Sequence, residues 1–182
     1  MIVTQDSSEK PALSAAKPGA AATGKLDAAG KPIPSLLEGV TIRKALPTDA
    51  DAIHALLRPY VAQRLLLART EAEVIELTRH GFMAVRSENG VEKCLGFAAV
   101  EIYSAKLAEL LSLAVHHECR NIGVGRMLVD HCVQRARELG VMEVMAISSS
   151  EEFFQNCGFD YSLPDQKKAF FCQLRPRHPH SD

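Results

Sequence analysis

Residues 110–139 read LLSLAVHHECRNIGVGRMLVDHCVQRAREL, and their reading decides the fold. The apolar run over 110–115 has the length of a buried strand, and a polar turn follows it. Arg120-Asn121-Ile122-Gly123-Val124-Gly125 then forms an R-x-x-G-x-G loop. From 124 to 139 apolar residues recur at Val124, Leu128, Cys132 and Ala136, with Val129 and Val133 beside them, which is a helical stripe. A glycine loop between a strand and a helix suits an anion: the backbone can approach closely, the first helical N–H groups are free, and the helix dipole favours negative charge. A pyrophosphate is the natural occupant. A P-loop would need Lys-Ser or Lys-Thr after the last glycine, but Arg126-Met127 stands there. A dinucleotide fingerprint would need glycine at Leu128. The bland reading, two glycines that merely loosen a helix start, leaves unexplained why two costly residues share one turn.

Outward from that stretch the chain falls into three parts. Residues 1–39 are rich in alanine, lysine, proline, glycine and serine and contain no aromatic residue, so they are expected to form a disordered tail. Residues 40–175 carry the periodic segments of one domain, and residues 176–182 form a short basic tail. Val40–Lys44 alternates as a first strand, and Pro47-Thr48-Asp49 opens a helix with Ile53, Leu56, Leu57 and Tyr60 on its apolar face. Thr70 with Glu73 is a capping box for a second helix. Strands are expected over 82–86 and 94–103, joined by an Asn89-Gly90 hairpin turn, with Gly96 a bulge or a point of close approach. Residues 108–115 should pair antiparallel with the second of these. Gly140 should cap the long helix, 141–147 should form a parallel strand after a right-handed crossover, and Glu151–Asn156 a short helix. Further strands are expected to begin at 159–161, and 170–174 should close the sheet.

Composition excludes some functions. The 182 residues are 47% hydrophobic and 24% charged with a net charge of -1, so no basic field argues for nucleic acid or a membrane surface. No apolar run approaches the roughly 20 residues of a membrane span. Five dispersed cysteines without a C-x-x-C pair support neither zinc nor a disulfide framework, and a reducing cytosol is the simplest setting. His116-His117 would point to opposite faces of a strand, so no metal is expected. Cys157 reads as a small buried thiol.

The loop, the run Ser112-Leu113-Ala114-Val115-His116 before it, and Phe153-Phe154-Gln155-Asn156-Cys157-Gly158-Phe159 after it together resemble the GNAT acetyltransferase superfamily. The last segment is similar to the family's F-Y-x-x-x-G-F. The resemblance implies an α/β (α+β) fold, with a mixed, mostly antiparallel sheet, splayed central strands and flanking helices. It implies acetyl-CoA as co-substrate, held by Leu113, Ala114, Val115, Arg120, Asn121, Ile122, Gly123, Val124, Gly125 and Arg126. Three softer stretches, 66–70 (LLART), 108–115 (AELLSLAV) and 163–168 (LPDQKK), resemble the acetyltransferase domain of N-acetylglutamate synthases. That implies transfer to L-glutamate in arginine biosynthesis, in a short form without the kinase domain most such enzymes carry.

On this reading Glu109 is the general base, the acid on the strand facing the acyl end. Phe154 stands where many relatives have a proton-donating tyrosine, so Ser148, with Ser149 beside it, is the candidate acid for the thiolate. Arg69 and Arg175, with Lys167 weaker, are the cations for a dicarboxylate acceptor. The expected partners are a small-molecule amine and a second copy of the chain. Alternatives are acetylation of another amine or a peptide N-terminus, and a non-catalytic acyl-CoA-binding module.

Overall fold

The computed structural model describes residues 37–161. The elements run β1 (Val40–Lys44), α1 (Ala50–Ala62), α2 (Glu71–Leu77), β2 (Gly81–Glu88), β3 (Val91–Ile102), β4 (Leu107–Val115), α3 (Val124–Glu138), β5 (Glu143–Ala146) and α4 (Glu151–Asn156). The five strands form one sheet in chain order, antiparallel from β1 to β4, with β4 and β5 parallel. This is the mixed, mostly antiparallel sheet that the sequence predicts.

Each face of the sheet has its own core. On one face α1 and α2 lay Ile53, Leu56, Leu57, Val74 and Leu77 against Met83, Val85, Phe97, Ala99 and Ala114. On the other, α3 lays Val124, Leu128, Val129, Cys132 and Ala136 against Ala84, Leu95, Ala98, Val100, Ala108 and Leu110. From Phe97 to Val100 successive residues of β3 alternate between the two, whereas Leu95, the extra residue of a β2–β3 bulge, and Gly96 both face α3, so 95–100 is buried without a break. A Cβ at Gly96 would lie 2.9 Å from Leu128 Cδ1 and 3.2 Å from the Ala114 carbonyl, so α3 can sit this close only over a glycine.

Helix ends follow local chemistry. Thr70 Oγ1 accepts from the Glu73 N–H (3.3 Å) and the Glu73 carboxylate accepts from the Thr70 N–H (2.7 Å), completing the expected capping box. Past α3 the Gly140 N–H donates to Arg137 O and the Val141 N–H to Ala136 O (both 3.0 Å), a Schellman ending with Gly140 at φ +73. That ending consumes Val141, and the Met142 N–H turns to Ala105 O (3.0 Å), so the strand expected over 141–147 is only four residues long. Residues 159–161 are irregular rather than the start of a strand. The closing strand expected at 170–174 lies outside the described residues. Leu37, within the segment read as tail, packs against the α3-side core.

Two further irregularities shape the middle of the sheet. Phe97 pairs with Ala114 but Ala99 with Leu111, so β4 carries one extra residue, and Ser112 there has φ +54. The β4–β5 register ends at Leu110↔Ala146, whereas β4 runs on to Val115. Beyond the bulge β4 therefore has an edge without a strand partner among the described residues.

Candidate functional site

The loop after β4 is built as an anion cradle. Asn121 (φ +61) and Gly123 (φ +102) are left-handed, and the chain turns through them into α3. The first bond of α3 is Met127 N–H to Gly123 O (3.0 Å), which leaves the N–H groups of Val124, Gly125 and Arg126 without helical acceptors. The first turn contains no acidic residue and no side chain caps it. Arg120 precedes that turn and Arg126 lies within it, so the helix dipole and two guanidiniums share one sign. A Cβ at Gly125 would stand against Val115 Cγ2 (3.6 Å) and the Phe153 ring (3.4 Å), so the glycine keeps the first turn of α3 clear of a side chain there. The residues present thus fit a diphosphate.

The open edge of β4 meets this cradle. The His116 N–H donates to Leu95 O (2.7 Å) and Gly96 lies opposite Val115, so the N–H and C=O of Val115 point away from β3. Both are taken by Tyr60: its hydroxyl donates to Val115 O and accepts from Val115 N–H (3.1 Å). The Arg120 guanidinium lies over the same ring, 5.2 Å from its centroid.

Towards the start of β4, Glu109 is half-buried, opposite Glu101 on β3 and Met145 on β5. The Tyr103 hydroxyl donates to Glu109 Oε2. Burial, then the Glu109 carboxylate, raises the Tyr103 pKa, so this hydroxyl keeps its proton at neutral pH, although the nearby Arg69 charge opposes the shift. Arg69 Nε donates to Ser112 Oγ (3.2 Å), tying the guanidinium to the bulge. Glu109 and Arg69 are thus each held at β4, Glu109 by Tyr103 and Arg69 by Ser112 three residues further along the strand. An open cleft of about 350 Å³, lined by Arg69, Glu73, Glu76, Arg79, His80 and Glu101 among others, adjoins them.

Ser148 is exposed two residues beyond β5, where its Oγ accepts from the Ser150 N–H (3.0 Å). Phe153, Phe154 and Phe159 stack edge to face and pack on the α3-side core. Lys167 and Arg175 lie outside the described residues. His116 and His117 do not point apart as expected. The chain leaves β4 at His116 and enters a 3-10 turn, which brings the two rings to 4.3 Å and gathers both with Glu118. Glu118 is paired with Lys93 (3.3 Å), whose ammonium holds its carboxyl below the usual range. Burial raises the pKa of Cys94 to about 11, that of Cys132 to about 12, and that of Cys157 to a lesser degree. The hydrogen bonds that Tyr60, Tyr103 and Ser112 make here escaped the sequence reading. Tyr60 counted there only as part of an apolar stripe, and its one signal was a hydroxyl among aliphatic neighbours.

Fold and site together place a loop whose residues fit a diphosphate at one end of β4 and a carboxylate near the other. Residues 50–159 match the Acetyltransferase (GNAT) family, and the chain belongs to it. An uncharacterized N-acetyltransferase of Chlorobaculum tepidum is 35% identical over 118 residues, 65% of this chain and 74% of that protein. The amino-acid acetyltransferase of Pasteurella multocida is 29% identical over 75% of this chain, which spans only 32% of that relative. Among solved structures, a Mycobacterium tuberculosis protein in complex with CoA shares 27% identity and a TM-score of 0.59 over 65% of this chain and 70% of that one. N-acetylglutamate synthase from Neisseria gonorrhoeae, with coenzyme A and N-acetyl-glutamate, shares 28% and 0.57 over 64% of this chain and 27% of its own. The chain is an acetyl-CoA-dependent N-acetyltransferase of the GNAT type. No helix among the described residues is long and apolar enough to cross a membrane.

Proposed function

We propose that the acceptor is the α-amine of an amino acid, L-glutamate first, giving N-acetyl-L-glutamate as in arginine biosynthesis. The observation that carries this is the Arg69 guanidinium, fixed by Ser112 at the bulge of β4 and close to the Tyr103–Glu109 pair. A held guanidinium beside a carboxylate suits an acceptor with its own carboxylate and an amine that must lose a proton. Relatives named amino-acid acetyltransferase support the same reading.

In this reading Arg120, Asn121, Ile122, Gly123, Val124, Gly125 and Arg126 hold the diphosphate of acetyl-CoA, and Leu113, Ala114 and Val115 line its pantetheine arm. Acetyl-CoA supplies an activated acyl thioester. Glu109 takes the proton from the acceptor amine. The Ser148 oxygen accepts from Ser150, so its own hydrogen is free to protonate the departing sulfur. Arg69 holds an acceptor carboxylate, with Lys167 and Arg175 as the further cations. Release of free CoA, measured against a panel of amino acids and other amines, tests the assignment. Glutamate should be among the best acceptors. If glutamate is ignored and another amine is acetylated, the acceptor is wrong while the class of enzyme stands.

A further inference from the structure

We infer that Tyr60 is a latch on the acyl-carrier groove: its hydroxyl occupies the open edge of β4 at Val115, and the pantetheine arm must displace it. The inference rests on the reading of the loop as the diphosphate site. A ligand anchored at Arg120 and Gly125 that delivers its acyl group toward Glu109 has to run along β4. The part of β4 between them has no strand partner on that side among the described residues, and an extended chain with amide groups binds such an edge by backbone hydrogen bonds. Val115 is the position on that edge next to the anchor, and both its backbone groups face the open side.

Both groups already have a partner. Tyr60 satisfies both at once, acting as donor to the carbonyl and acceptor from the amide, as one amide unit of a bound chain would. Tyr60 is held from its other side too, since Arg120 lies over its ring. Arg120 is also the first cation of the anion loop. A diphosphate that engages this guanidinium draws it off the ring and loosens the hydroxyl's hold on Val115. Capture of the diphosphate end thus comes first and frees the edge for the rest of the ligand.

Tyr60→Phe in the full chain keeps the ring and its cation contact but deletes the hydroxyl. Calorimetric titration with acetyl-CoA and with ADP, which has a diphosphate but no pantetheine, separates the two ends of the site. The variant should bind acetyl-CoA about tenfold more tightly, since two hydrogen bonds no longer have to be broken, and should bind ADP as the wild type does. Acetyl-CoA binding that is unchanged or weaker, with ADP binding intact, overturns the latch. If the wild type binds neither ligand, the diphosphate reading fails and takes the latch with it. Should the variant not fold, hydrogen exchange in ligand-free wild type decides. The Val115 amide should exchange at least tenfold more slowly than an unstructured amide, and unprotected exchange there overturns the latch.

Discussion

Ser112 shows how one residue can set the geometry of a site. Its left-handed backbone inserts the extra residue into β4, and its hydroxyl holds Arg69. If Arg69 binds an acceptor carboxylate, Arg69→Ala removes one partner of a charge pair, a loss of about 2–5 kcal/mol in buried pairs. The kcat/KM for glutamate should then fall roughly 30-fold or more, with acetyl-CoA affinity nearly unchanged, because Arg69 is remote in sequence from the phosphate loop. Arg69→Lys should recover only part of the loss, since a lysine lacks the planar fork. Wild-type glutamate kinetics in both variants would sink the acceptor assignment. Glu109→Gln should behave differently, lowering kcat with little change in KM, as expected for a group needed in the transition state rather than in binding. A variant with normal kcat would remove Glu109 as the base. The place of the loop at the start of α3 and of Glu109 on β4 was legible in the sequence, because each is a local pattern or a motif position. Tyr60 and Tyr103 were not: their hydroxyls matter through partners far along the chain or at a bulge, which no local period reveals.

At the scale of elements, Gly96 is where α3 meets the sheet. Gly96→Ala would press a methyl against Leu128 and the Ala114 carbonyl, and overpacking of this kind costs about 1–3 kcal/mol. Because α3 carries the anion loop at its start, the variant should also bind acetyl-CoA more weakly. Equilibrium unfolding and ligand titration on the same sample would show whether the two losses go together. The entry to α1 depends on charge instead. Asp49 accepts from Arg43 (2.7 and 2.9 Å) and from the Leu46 N–H (2.8 Å), and the Arg43 guanidinium beside it holds its carboxyl below the usual value. A depressed folded pKa means that the stabilisation is complete above the unfolded value, about 3.9, and is lost as pH falls through the lower folded one. Asp49→Asn should therefore cost about 2 kcal/mol at pH 7 and almost nothing near pH 2. A difference from wild type independent of pH would show that Asp49 acts by packing alone. Helix bounds set by caps, such as Thr70 with Glu73 and Gly140, could be read from sequence. The short β5 could not, because its start is consumed by the α3 ending and its last pairing is Leu110↔Ala146, just before the bulge in its neighbour.

At the scale of the molecule, composition separated the first 39 residues from the rest, but packing draws the line slightly earlier. Leu37 touches the α3-side core and its Cδ1 would lie 3.9 Å from a Cβ at Gly123. Removing residues 1–36 should leave acetyl-CoA affinity unchanged, while removing 1–39 should weaken it several-fold by uncovering the loop. Equal affinities in the two truncations would show that Leu37 contributes nothing there. The family was legible because its motifs cover both the loop and the α4 segment. The acceptor was less legible, because the motifs that suggest it are short and Arg69 is placed by a bulge that no local period shows. Burial of the cysteines has a practical consequence. Every turnover of this enzyme class liberates one sulfhydryl, so product is commonly followed with coloured disulfide reagents, and a protein rich in reactive thiols would swamp the signal. With Cys94 at about 11 and Cys132 at about 12, no more than about one part in ten thousand of either is nucleophilic thiolate at pH 7. Native enzyme should leave these two cysteines dark to such a reagent, and a slow rise in its background colour would report the core coming apart.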